Sequence, residues 1–169
     1  MTELKPVAEA QDAIFSMMGQ ARTENCSLQA AAGRVLASDI SAMLDHPAAN
    51  ISAMDGYALA SGGNRLEIGA VAQVVGEAAA GHLSATTITS GMALRIFTGA
   101  YLPDGADCVA LQEDISRDGN KITLNEAVKA GQFVRPKGMD FHADEIILRA
   151  GQILGPRHLA LASLAGFTT

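Results

Sequence analysis

The sequence has no tryptophan, and aromatic residues make up only 4% of its 169 positions although 49% are apolar. Its core must therefore be built from alanine and aliphatic side chains, enough for one ordinary domain or two small ones. Positive charge is also scarce, since 12 Lys and Arg stand against 18 Asp and Glu for a formal net charge of −6. Without a basic stripe to neutralise phosphates, the composition argues against a nucleic-acid partner. Cys26 and Cys108 are the only cysteines and form no CxxC, which leaves neither a disulfide framework nor a zinc knuckle. No apolar run approaches a membrane span, and the first residues lack the apolar segment of a secretory signal. These absences predict a soluble cytoplasmic protein with reduced thiols and no membrane partner. The P-loop, GxGxxG and GxSxG signatures are missing as well, and His46, His82, His142 and His158 show no HxxxH spacing.

Val7, Ala10, Ile14, Met17 and Met18 recur at helical spacing, which predicts an amphipathic helix over 6–20 with Pro6 in its first turn. Its methionine-bearing stripe reads as core, packed on another domain or subunit. Ser27 is placed to cap a second short helix, and the Asp45-His46-Pro47 run breaks the pattern that follows. Beyond it come short strands punctuated by glycine. Leu66, Ile68, Ala70, Ala72 and Val74 alternate with period two; 93–97 and 108–111 are strand candidates; Asp118-Gly119 marks a hairpin; 133–135 is a further short strand. After 140, a strand over 145–149 precedes a helix opened by Gly155-Pro156 and closed by Gly166. The expected fold class is α+β, predominantly β. Residues 1–45 are read as the N-terminal helix and the first half of a discontinuous α/β domain, 46–140 as an inserted β domain, and 141–169 as the second half. Apolar residues running to the last positions predict a chain cut at a domain boundary.

Several polar residues stand where a sheet could present them. In the stretch 52–58, Ser-Ala-Met-Asp-Gly-Tyr-Ala, a carboxylate is set against an Asp-Gly turn. Two readings of Asp55 stand: a solvated turn residue, or an acid held out for chemistry. Thr98, Glu113 and Asp140 also fall at predicted strand ends or turns, with Gly99 in the small-residue turn after Thr98. If these groups converge with Arg135 and Lys137, the cations would hold a phosphate and the acids would accept hydrogen bonds from the same ligand. Asp140, His142 and Asp144 alternate, so an extended backbone there would place all three on one face as mixed metal ligands.

Four strings in order, Ser52 to Ala58, Arg95 to Asp107, Gln112-Glu113 and Gly131 to Asp140, make the chain resemble the N-terminal part of the molybdopterin molybdenumtransferase family, which includes the C-terminal domain of gephyrin. The resemblance covers nearly the whole chain. It implies an enzyme of molybdenum cofactor biosynthesis that inserts molybdate into adenylated molybdopterin, releases AMP and needs a divalent cation such as Mg2+. Asp55, Thr98 and Asp140 match family positions implicated in activity: the two acids orient the adenylated pterin or the hydrolytic step, and Thr98 is a positioning hydroxyl. Ser52, Gly56, Gly99, Glu113, Arg135 and Lys137 fall around the expected substrate pocket.

Some positions depart from the family pattern. Asn50-Ile51 stands where many members carry Asp-Asn, Tyr101 replaces a frequent Pro, and Pro136 and Met139 replace a frequent Arg and Glu. The basic edge of the pocket is thereby more altered than its acids. Family enzymes continue into an α/β domain and a small β domain that 169 residues do not accommodate, and homodimeric members build the cleft from two subunits. The resemblance therefore implies that this chain supplies one wall, that Mg2+ binds mainly outside it, and that it is inactive alone. The alternative reading is a non-catalytic pterin-binding or protein-assembly module.

Overall fold

The structure is a computed structural model that describes residues 5–19, 21–81 and 85–169. The expected end of the first helix at Gln20, and His82, lie outside the described residues. Helix α1 spans Val7–Met17 and begins after Pro6, whose φ of −56° suits a helix entrance. None of its residues is buried; Val7 is 75% and Met17 85% exposed. The apolar stripe forms as its spacing dictates, but no described part of this chain covers it.

Residues on either side of the middle of the chain pack together. Strand β1 (Ile40–Ser41) pairs antiparallel with a strand more than a hundred residues later, Ile146–Leu148, and Val35 bridges Ile153. Ala31, Leu148, Leu154 and Ala162 form the core of this unit, with Leu28, Leu36, Leu159 and Phe167 packed on it. Ser27 precedes only a single 3₁₀ turn, Leu28–Ala30, and makes no side-chain cap. The last helix, Pro156–Leu164, starts with Pro at its first position, and its free Gly155 N–H donates to His158 Nδ1 at 3.0 Å. The chain leaves and re-enters the unit at one crossing, where His46 N–H donates to Phe141 O and Asp140 N–H to His46 O, both at 2.9 Å. The His46–Pro47 peptide is cis.

Between the two passes lie β2 (Ile51–Ser52), β3 (Gly56–Leu59), β4 (Arg65–Leu66), β5 (Val71–Ala78), β6 (Met92–Ile96), β7 (Cys108–Leu111), β8 (Ile115–Asp118), β9 (Lys121–Leu124), β10 (Val128–Lys129) and β11 (Val134–Arg135); the Ile146–Leu148 strand is β12 and the last helix α2. Six of them form one sheet in the order β7-β3-β6-β5-β9-β8. Its two edge strands are consecutive in the chain, joined only by the 3₁₀ turn Gln112–Asp114. In a flat sheet those edges would stand about 24 Å apart, whereas the linking residues reach at most roughly 14 Å. The sheet must therefore curl. Its concave face gathers Tyr57, Leu59, Ala72, Ala93, Cys108, Ala110, Ile122 and Leu124, drawn from five strands. The convex face buries Ala58, Leu94, Ile96 and Val109 under Ile88, Ala100, Phe133 and Val134.

Two local expectations are corrected. The period-two run from Leu66 is not one strand: β4 pairs with β10, and a turn with Gly69 at φ +85° intervenes before β5. Gly56 is not a left-handed turn glycine but the first residue of β3. A Cβ there would lie 1.9 Å from the Ala110 carbonyl oxygen, so close approach of β7 is what requires glycine.

Candidate functional site

The turn before Gly56 is made by Ser52 rather than by Asp55. Buried Ser52 Oγ donates to Met54 O at 2.6 Å and accepts from Met54 N–H at 3.4 Å. This frees the Asp55 side chain, whose Oδ1 accepts both the N–H and the hydroxyl of Thr98, each at 2.7 Å. The Thr98 N–H and then its hydroxyl hold the Asp55 carboxyl below its ordinary range, with Arg95 adding attraction and partial desolvation opposing. Oδ2 accepts no hydrogen bond from the described residues. The turn carrying Thr98 is fixed in its own right: Gly99 sits at φ +81°, its N–H donates to Ser52 O at 2.8 Å, and Ser52 N–H donates to Ala100 O at 2.9 Å.

Glu113 stands in the 3₁₀ turn at this end of β3, exposed and without a partner among the described residues. Its neighbour Gln112 makes the contacts, donating its N–H to Asp55 O at 3.3 Å and accepting from Arg95 Nη2 at 2.6 Å. Arg95 Nη1 also donates to Gly56 O at 2.9 Å, and its guanidinium lies over the rings of Phe97 and Tyr57. Sequence reasoning passed over Arg95 and Gln112 as site residues, although each begins one of the quoted strings.

The second acid is held differently. Arg135 Nη2 donates to both oxygens of Asp140 at 2.8 Å, and His46 Nε2 lies 3.7 Å from Asp140 Oδ2. Pairing of β11 with β2 sets Arg135 opposite Ile51 and Val134 opposite Ser52, so one short strand links the two acids' surroundings. Lys137 Nζ reaches Asp45 Oδ2 at 3.1 Å, and its N–H donates to Asn50 Oδ1 at 2.9 Å. Asp45, which sequence reasoning missed, is held below the usual carboxylate range chiefly by the Ala143 N–H and then by Lys137. Both cations expected at a phosphate are thus already paired with carboxylates.

The alternation of Asp140, His142 and Asp144 does not build a metal face. Asp140 turns to Arg135, His142 Nδ1 lies 3.4 Å from Asp45, and Asp144 adopts φ +66°, which breaks the extended backbone the reading needed. Among the described residues no three His, Cys, Asp or Glu side chains gather to hold an ion. Cys108 is buried, and burial pushes its thiol up to about 12, which leaves it no thiolate for nucleophilic work. No helix among the described residues is long and apolar enough to cross a membrane.

Residues 5–166 match the family model described as MoeA N-terminal region (domain I and II). The chain is 34% identical to a molybdopterin molybdenumtransferase of Nostoc sp. over 167 residues, covering 95% of this chain and 38% of that protein. It is 35% identical over 146 residues to the molybdopterin molybdenumtransferase of Haemophilus influenzae, covering 86% of this chain and 36% of the relative. Among solved structures it resembles the molybdopterin biosynthesis moeA protein of Pyrococcus horikoshii OT3, with a TM-score of 0.86 and 32% identity over 98% of this chain and 45% of that one. The chain thus spans about two fifths of the length of these curated relatives. A curled sheet inserted at one crossing into a helix-and-strand unit, carrying an acid clamped by a Thr-Gly-Ala turn, belongs with these proteins in sequence and in fold: the chain is a member of the MoeA N-terminal region family.

Proposed function

We propose that the chain is the N-terminal part of a cytoplasmic molybdopterin molybdenumtransferase and forms one wall of a cleft in which molybdate is inserted into adenylated molybdopterin with release of AMP. The observation that carries this reading is the Asp55–Thr98 pair. Its carboxylate is held by neutral donors alone and keeps Oδ2 open, so it can accept hydrogen bonds from pterin-type N–H groups while remaining charged. Thr98 fixes that carboxylate. Asp140, already neutralised by Arg135, would serve in positioning; Ser52 and Gly99 hold the turns that carry Asp55 and Thr98, and Gly56 lets β7 approach the strand that follows Asp55. The Mg2+ of the intact enzyme would be held mainly by residues outside this chain.

The exposed stripe of α1 supports the proposal that the longer protein is a homodimer or buries this helix on another of its parts. The same exposure favours the second reading, a non-catalytic pterin-binding or assembly module. Asp55→Asn in the longer protein separates the two. Cofactor synthesis should fall about 100-fold, as expected when a substrate-orienting group is lost, with folding and dimerisation retained. Unchanged synthesis would favour the module. Cofactor production by these 169 residues alone, in cells lacking the enzyme, would overturn the one-wall reading.

A further inference from the structure

The concave face of the curled sheet has an opening that none of the residues above explains. Strand β5 pairs with β9 only through Val71, Ala72 and Gln73, and its register to β6 slips between Val74 and Gly76. Residues 74–77 therefore flank a concavity of about 360 Å3 lined also by Arg95, Arg117 and Asn120. Two guanidiniums converge there on one phenol. Arg95 Cζ lies 5.4 Å from the Tyr57 ring centroid, and Arg117 Nη1 lies 3.3 Å from Tyr57 Oη. The Arg117 Nε–H is taken by Gly119 O at 2.8 Å, which fixes that guanidinium with Nη2 left over.

Among the described residues neither arginine is ion-paired, in contrast to Arg34, Arg65, Arg135 and Arg149, each of which meets a carboxylate. Among the described residues Glu77 is the only acid lining the concavity; it stands opposite Arg95 in register yet makes no ion pair with any of them. In a chain of net charge −6, two guanidiniums that meet no carboxylate at ion-pair distance line one concave site, and planar N–H donors on both suit an oxyanion.

We propose that the concavity between β5, Arg95 and Arg117 binds a phosphate-class oxyanion, either free phosphate or the phosphate of a monoester. Arg117 supplies its unused N–H groups and charge. Arg95 supplies those not committed to Gly56 and Gln112, and Asn120 lines the same concavity. Glu77 limits affinity by like-charge repulsion, so the site is tuned to bind reversibly rather than tightly. This inference is independent of molybdenum insertion, because it concerns binding alone.

The test is NMR titration of the 15N-labelled chain with inorganic phosphate and, separately, with AMP, at constant ionic strength set by sodium chloride and reading the guanidinium Nε–H signals. Saturable shifts of Arg95 and Arg117 are expected with at least one of the two. Arg117→Gln should weaken that binding about tenfold, the weight of one charge-assisted hydrogen bond, and Glu77→Gln should strengthen it severalfold. Because Arg95 also holds Gln112 and Gly56, exposed Arg117 is the variant of choice for keeping the fold. Tighter binding of AMP would assign the site to a monoester, and equal binding to free phosphate. No saturable shift with either ligand, or an unchanged affinity in both variants, would overturn the proposal.

Discussion

Asp55 and Asp140 lie on opposite sides of the same short strand, β2, yet they are held by opposite chemistry. Neutral donors of Thr98 grip one oxygen of Asp55 and Arg95 adds only attraction from outside hydrogen-bond reach, so its charge is left without an ion pair and its other oxygen open. The Arg135 guanidinium spans both oxygens of Asp140, with His46 beside it, so that charge is spent within the protein. A carboxylate held by dipoles keeps its field for a ligand, whereas one held by a cation presents a nearly neutral pair. Two acids that look equivalent in the sequence are thereby suited to different work.

Gly56→Ala attacks the Asp55 side of this contrast most severely, because the added methyl meets the Ala110 carbonyl of a buried strand. A loss of about 3 kcal/mol is expected in urea unfolding, with Asp55 displaced and the Arg135–Asp140 pair intact. In the longer enzyme proposed above, the about 100-fold fall expected for Asp55→Asn should exceed that for Asp140→Asn, set at roughly tenfold for one charge-assisted bond. Equal losses in cofactor synthesis would erase the distinction.

Acid titration gives a smaller and sharper test. The Asp55 carboxyl is depressed in the folded chain below its ordinary value of 3.8. The stability it lends is therefore complete above that unfolded value and is lost as pH falls through the lowered one. Thr98→Ala removes the hydroxyl but keeps the N–H, so the carboxyl should titrate closer to 3.8 by carbon NMR, leaving Asp45 unchanged. The smallest effect is expected for Arg135→Gln, whose half-exposed ion pair should contribute less than about 1 kcal/mol to folding. A larger loss in thermal unfolding would mean that the pair is structural after all.

Much of the β part was legible because its signals are local. Cys108 to Leu111 is one uninterrupted strand, buried up to its last residue, Asp118-Gly119 does turn a hairpin between β8 and β9, and Gly155-Pro156 opens α2 as its chemistry requires. The site was legible only in part. Asp55 and Thr98 meet across 43 positions, and Lys137 meets Asn50 across 87. No local rule assigns such partners. The Asp-Gly pair misled for the same reason: its glycine answers to the backbone of β7, not to a turn of its own.

The sequence by itself determined most of the element types, the acidic balance and the strings that mark the family, because each follows from backbone preference or local spacing. Tertiary structure alone decided which acids are free and which are paired, and that two arginines share one concave mouth. Those outcomes depend on the curl of the sheet and on strand register, and both are set by packing between residues far apart in the chain.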